Sequence, residues 1–143
     1  MTSVAAVESP TTIAGAWLRR FGEALEQQNV ARAADLFMAE GWWRDLLAFT
    51  WDLRTFHGSK AIGGAMARSV ASAGPREFRL EPGREPALTG SDASRTIEAF
   101  YRFETKLARG RGFLRLMPDG EGRWKAWTLL TAMEELKGFE EWR

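Results

Sequence analysis

The sequence predicts an α+β domain in which three helices pack on the concave face of a curved, mainly antiparallel sheet. Three observations carry that prediction. Apolar residues at helical spacing are confined to the first half of the chain, up to Gly74-Pro75. Beyond that point apolar and polar residues alternate in segments separated by turn residues. One such segment, 95–107, is too long to stay flat and must twist and bend. Helices gathered in one half and hairpins in the other give a layer of helices on one face of a sheet.

Residues 1–10 read as a flexible leader, 11–136 as one domain and 137–143 as a charged tail. Thr11 or Thr12 is the expected N-cap of the first helix. Ala14, Trp17, Leu18, Phe21 and Leu25 form its apolar stripe, and Asn29 is its expected end. A second helix over 30–39 turns Ala33, Ala34, Leu36 and Phe37 inward, and Glu40-Gly41 breaks the pattern. Two strands follow, over 42–49 and 51–56, with a bend near Thr50. Trp43, Leu47, Phe49 and Trp51 share one face with Asp45, and Trp42, Leu46 and Ala48 share the other with Arg44. A strand apolar on both faces is covered on both. Ser59 is the expected cap of a third helix over 60–73, which Gly63-Gly64 weakens and Gly74-Pro75 ends. Further strands are expected over 78–81, 95–107, 113–117 and 123–134, with GREPALTGSDAS as a turn-rich connector and Pro118-Asp119-Gly120 as a hairpin turn. Phe100 falls out of place on the polar face of its strand.

Composition narrows the function classes. The 143 residues are 45% hydrophobic and 27% charged, the balance of a globular domain. A net charge of +1 offers no field for nucleic acid or anionic lipid, and Arg109 and Arg111 are too few for a nucleic-acid patch. With no cysteine and a single histidine, disulfides, thiol catalysis and multi-histidine metal sites are ruled out. No apolar run is long enough to span a bilayer, and the start lacks the pattern of a secretion signal. The cytoplasm is the expected compartment, and no cofactor is expected.

The segment ADLFMAEGWWRDL resembles the start of the NTF2-like, or SnoaL-like, superfamily, whose fold is a cone-shaped α+β domain. In its ketosteroid isomerase branch the general base falls on Asp45. The resemblance places that branch's oxyanion tyrosine on Phe21 and its protonated aspartate near Gly112, so both electrophilic partners are missing here. A base without a group to hold the enolate does not support that isomerisation. A narrower resemblance runs through WRDLLAFTWDLRTFHG, AFYRFET, RGFLRL and AWTLLTAMEELKGFEE. These are similar to the NTF2-like domain that precedes the flavin- and NADPH-dependent module of bacterial monooxygenases. The dinucleotide fingerprint itself is absent, because Gly110-Arg111-Gly112 leads into a strand rather than a helix.

Two functions follow as expectations. The first is a module that binds a small apolar or aromatic ligand and forms a homodimer, as an accessory to a flavoenzyme. Its expected pocket is lined by Trp17, Phe21, Trp43, Asp45, Tyr101, Phe103 and Trp127. The second is a lyase or isomerase acting on a cyclic or aromatic substrate, with Asp45 as base and His57 or Tyr101 as acid. Against both stands a structural reading, in which Asp45 pairs with Arg44, Arg54 or a backbone amide, His57 is structural and the tryptophans fill the core. If Asp45 is a pocket group, Asp45→Asn leaves the fold intact. The ladder Glu98, Arg102, Glu104 and Lys106 is expected to face solvent or another subunit.

Overall fold

A computed structural model describes residues 8–91 and 94–139. Most of the expected leader, 1–7, and most of the expected tail, 140–143, lie outside the described residues. Helix α1 (Pro10–Glu26) begins earlier than the threonines suggest: Ser9 is its N-cap and accepts the Thr12 amide at 3.1 Å. Pro10, expected to close the leader, occupies the first turn, where its missing N–H costs nothing. Helix α2 (Val30–Asp35) is shorter than its apolar spacing implies, because Phe37 already belongs to β1 (Phe37–Leu46). Phe37 pairs with Ala126, and the Leu36 carbonyl accepts from the Ala126 amide and the Trp17 indole. Those long-range bonds, invisible to local spacing, end the helix.

The β1–β2 pair is a hairpin, with β2 at Leu53–His57. The two-face alternation expected to run through residue 51 stops at Leu47. Leu47 and Trp51 both have positive φ, 65° and 60°, so this stretch leaves the strand conformation. Leu47 and Trp51 are exposed while Phe49 stays in the core. Helix α3 (Ser59–Ala73) is capped by Gly58 rather than Ser59 and ends on left-handed Gly74. Gly63 lets α3 approach α2: a Cβ there would lie 3.2 Å from the Ala34 Cβ.

The remaining strands are β3 (Arg76–Leu80), β4 (Ala87–Thr89), β5 (Thr96–Glu104), β6 (Ala108–Pro118) and β7 (Trp124–Leu136). β4 lies inside the segment expected to be only a connector, and β6 begins five residues earlier than expected, at Ala108. The sheet order is β2-β1-β7-β6-β5-β3, with β4 also paired to β5. β1 and β7 run parallel, and the other pairs are antiparallel. Inward residues of β5, Ile97, Ala99, Tyr101 and Phe103, meet Trp17, Leu18, Phe21 and Leu25 of α1 and Ile62, Met66 and Val70 of α3 in one core. Three helices on a curved sheet of seven strands among the described residues give the expected cone-shaped α+β arrangement.

The outer face of the sheet carries the charge ladder. Glu98 meets Arg115 at 2.8 Å, Arg109 meets Glu135 at 3.3 Å, and Lys137 meets Glu104 at 2.9 Å. Glu81, its side chain 5% exposed, bonds both Arg102 and Arg111, which stand opposite each other on β5 and β6. Phe100 lies on this face as strand parity requires, with its ring 5.0 Å from Phe113 and the Arg84 guanidinium 3.5 Å above it.

Candidate functional site

Two places answer to the sequence expectations: the interior around Asp45 and a cleft at one end of the cone. Parity on β1 turns Trp43 and Asp45 inward, and parity on β5 does the same for Tyr101 and Phe103. The sequence therefore brought six of the seven expected pocket residues together. Trp17, Phe21, Trp43, Asp45, Tyr101 and Phe103 are each at most 1% exposed. A side chain that no water-sized sphere can touch borders no void of that size. The space is filled by rings: Phe78 stacks on Phe103 at 5.2 Å, Phe49 meets Phe103 at 6.0 Å, and Trp17 stacks on Phe21 at 4.8 Å. Trp127, the seventh, is half-buried where the β6–β7 register shifts, and does not belong to this core.

Asp45 is held by four donor groups. The Phe49 amide donates to Oδ1 and Oδ2 at 3.1 and 3.0 Å, and the Thr50 amide donates to Oδ2 at 2.8 Å. The Thr50 hydroxyl reaches Oδ2 at 2.8 Å, and the Thr131 hydroxyl reaches Oδ1 at 2.6 Å. Thr131 in turn accepts from the Trp43 indole at 2.9 Å. Successive amides converging on an anion form a nest; here the chain's own carboxylate occupies it and pins the β1–β2 turn. The partner is neither Arg44 nor Arg54. Arg54 pairs instead with Asp52 at 3.0 Å, which, after the Leu53 amide, holds the Asp52 carboxyl below its usual range.

Of the three residues of the catalytic reading, Asp45 and Tyr101 share the interior and His57 lies apart. His57 pairs across the hairpin with Trp42, on the face opposite Asp45. Its ring stacks on Trp42 at 3.9 Å, and its Nε2 lies 3.2 Å from Glu40 Oε2. Tyr101 is inside, but its hydroxyl donates to the Leu130 carbonyl at 2.6 Å. Burial, then the negative charge of Asp45, pushes the Tyr101 phenol well above its ordinary value. Gly112, where the resemblance places an oxyanion carboxylate, lies beneath the Tyr101 ring; a Cβ there would collide with that ring and with the Leu130 carbonyl.

The cleft has a volume of about 770 Å³ and lies where the first half of α1, the end of α2, β4, the start of β5 and the β6–β7 turn meet. Ile13, Leu36, Leu88 and Trp124 supply its apolar surface, with the buried Trp17 and Ile97 behind them. Arg20, Arg95, Arg123 and Lys125 stand on it with Glu8 and Asp35. Its size and mixed lining suit a small ligand. Of the seven residues expected to line a pocket only Trp17 reaches this cleft, and it stays buried behind the wall. The other lining residues come from five separate segments, one of them the unforeseen β4, and no local pattern joins them. Among the described residues no three His, Asp or Glu side chains converge as a metal site, and no helix is long and apolar enough to cross a membrane.

Solved structures share this fold. A domain of unknown function with a cystatin-like fold from Nostoc punctiforme superposes with a TM-score of 0.68 at 14% identity, over 92% of this chain and 82% of that one. An NTF2-like protein with a cystatin-like fold from Novosphingobium aromaticivorans gives 0.60 at 15% identity, over 87% and 81%. A ketosteroid isomerase-like protein from Erwinia carotovora atroseptica gives 0.62 at 8% identity, over 90% and 99%. At such identities the likeness shows the fold alone. No family model and no curated protein matches the chain.

Proposed function

We propose that the chain is a non-catalytic NTF2-like module that binds a small apolar or aromatic ligand and forms a homodimer. The observation that carries the ligand half is the open cleft of about 770 Å³, with Trp124 on its wall, beside a filled interior. Asp45, with four donors and no accessible surface, does not support the lyase or isomerase reading. The dimer half is supported by the outer sheet face. Phe100, Phe113 and Leu130 line a shallow hollow there, flanked by charges of both signs that a second, antiparallel copy of the same face would match. The likeness to domains that precede flavin-dependent monooxygenase modules supports an accessory role beside such an enzyme.

Calorimetric titration with a neutral aromatic ligand, methyl 2-naphthoate, tests the cleft. Binding is expected, and Trp124→Ala weakens it; no binding by the intact protein overturns the ligand reading. Sedimentation tests the dimer separately. The native chain is expected to run as a dimer and Phe113→Lys as a folded monomer, while a native monomer at micromolar concentration overturns the dimer reading.

A further inference from the structure

We propose that the open edge of β2 takes an extended peptide segment of another protein as an added strand, and that this segment sets an apolar and an acidic side chain into the groove between β2 and α3. Neither the cleft nor the dimer face is involved. β2 ends the sheet and pairs with β1 alone. The Gly58 amide donates to the Gly41 carbonyl and the Leu47 amide to the Asp52 carbonyl, so in this antiparallel ladder the even-numbered residues of β2 bond β1. Leu53, Thr55 and His57 turn their backbone groups outward. The Leu53 amide donates to the Asp52 carboxylate at 2.8 Å, which leaves both backbone groups of Thr55 and His57 to a new strand. At the opposite end of the sheet, β3 is interrupted by a register shift around Glu77, whose φ is 59°, and such a break guards an edge against pairing. β2 has no break and no proline, and its one arginine is paired with Asp52.

A groove runs beside that edge. Two open hollows, of about 670 and 330 Å³, lie between β2 and α3 and share Phe56 and Arg68. Their α3 lining, from Lys60 to Ser72, covers about 18 Å of helix, and β2 covers about 17 Å, the reach of roughly five extended residues. Pairing with the inward Asp45 and Trp43 turns Arg54 and Phe56 toward α3. The half-buried Phe56 and Trp51, which is 50% exposed, give the groove accessible aromatic surface, with the buried Phe49 behind. An added strand places alternate side chains here, and an apolar one meets these rings. The charged groups at the groove are three cations, Arg54, Lys60 and Arg68, against two carboxylates, Glu40 and Asp52. Arg54 is matched by Asp52 at 3.0 Å, and Glu40 faces the His57 ring at 3.2 Å. Arg68 is exposed, has no acidic partner among the described residues, and stands where the two hollows meet. An acidic residue two positions from the apolar one shares its face and meets this guanidinium. The β2 of a second copy has arginine and phenylalanine on that face, and so would bring a cation instead.

Amide-resolved NMR of the intact protein, titrated with the capped peptide Ac-Thr-Thr-Phe-Thr-Asp-Thr-Thr-NH₂, tests this. The Thr55 and His57 amides are expected to shift. The same peptide with asparagine for aspartate is expected to bind several-fold weaker, a difference that high salt and Arg68→Ala both remove. Thr55→Pro takes away one outward N–H and no bond to β1, so the fold is kept and binding is expected to be lost. No shift at Thr55 or His57 with millimolar peptide overturns the proposal, as does unchanged binding by folded Thr55→Pro. Methylating the peptide's own backbone nitrogens, at its odd or its even positions, needs no protein variant. One of the two sets is expected to abolish binding, and tolerance of both overturns strand addition. Equal binding of the aspartate and asparagine peptides overturns the acidic preference. A dimer lost in Thr55→Pro would put a second copy on the edge and overturn the peptide reading.

Discussion

Asp45 sits near the end of β1 with the amides of Phe49 and Thr50 and the hydroxyls of Thr50 and Thr131 all aimed at its two oxygens. An asparagine is nearly the same shape but replaces one acceptor oxygen by an NH₂ group. That group would face N–H and O–H donors, leaving at least one of them unpaired in a site closed to water. Asp45→Asn is therefore expected to cost about 1–3 kcal/mol, read as a lower urea midpoint. This reverses the sequence expectation that the substitution leaves the fold undisturbed. An unchanged midpoint would show that the carboxylate does not hold the turn.

At the scale of the strand, β6 is built so that rings of β5 can lie across it. Gly110 faces the Phe103 ring and Gly112 the Tyr101 ring, each too close for a side chain. The Gly-Arg-Gly run is thus a packing device, not a phosphate loop. Gly112→Ala would push Tyr101 off the Leu130 carbonyl and is expected to cost at least about 1–3 kcal/mol in denaturant unfolding. Gly120→Ala, in the β6–β7 turn with nothing within 4 Å of a new Cβ, is the control, expected to shift stability by less than about 0.5 kcal/mol. Equal effects at the two positions would refute the packing role.

For the whole molecule the ion pairs and the buried phenol set a stability profile with pH. The Arg111 hydrogen bond, then Arg102, holds the Glu81 carboxyl below its usual value, and Lys137 does the same for Glu104. Both carboxylates bind their proton less readily folded than unfolded. Their contribution is present above the usual carboxylate range and lost as pH falls through the folded values. Tyr101 has the opposite sign: its folded value is raised, so its contribution is complete below the ordinary phenol value of 10.0 and is lost as pH rises beyond it. Urea midpoints measured across pH should fall at both ends. As the only tyrosine, Tyr101 should show tyrosinate absorbance only as the protein unfolds. Titration at the ordinary phenol value in folded protein would place its hydroxyl in contact with water.

Local spacing was enough for the fold class, for helix α3 and its Gly74 stop, and for the inward set Trp17, Phe21, Trp43, Asp45, Tyr101 and Phe103, because a period of 3.6 or 2 assigns a face without knowledge of the partner. It was not enough for Leu36-Phe37, where helical and strand spacing agree equally well and pairing with Ala126 decided. Nor could it foresee the backbone turn at Leu47, which set Leu47 and Trp51 outside a core they were expected to join. The sequence by itself determined which side chains face inward. Only the tertiary structure decided whether those side chains leave a hollow or fill it, and where a cleft opens instead. A void is a property of how rings from distant segments meet, and that depends on strand register and helix approach, which no single stretch of chain contains.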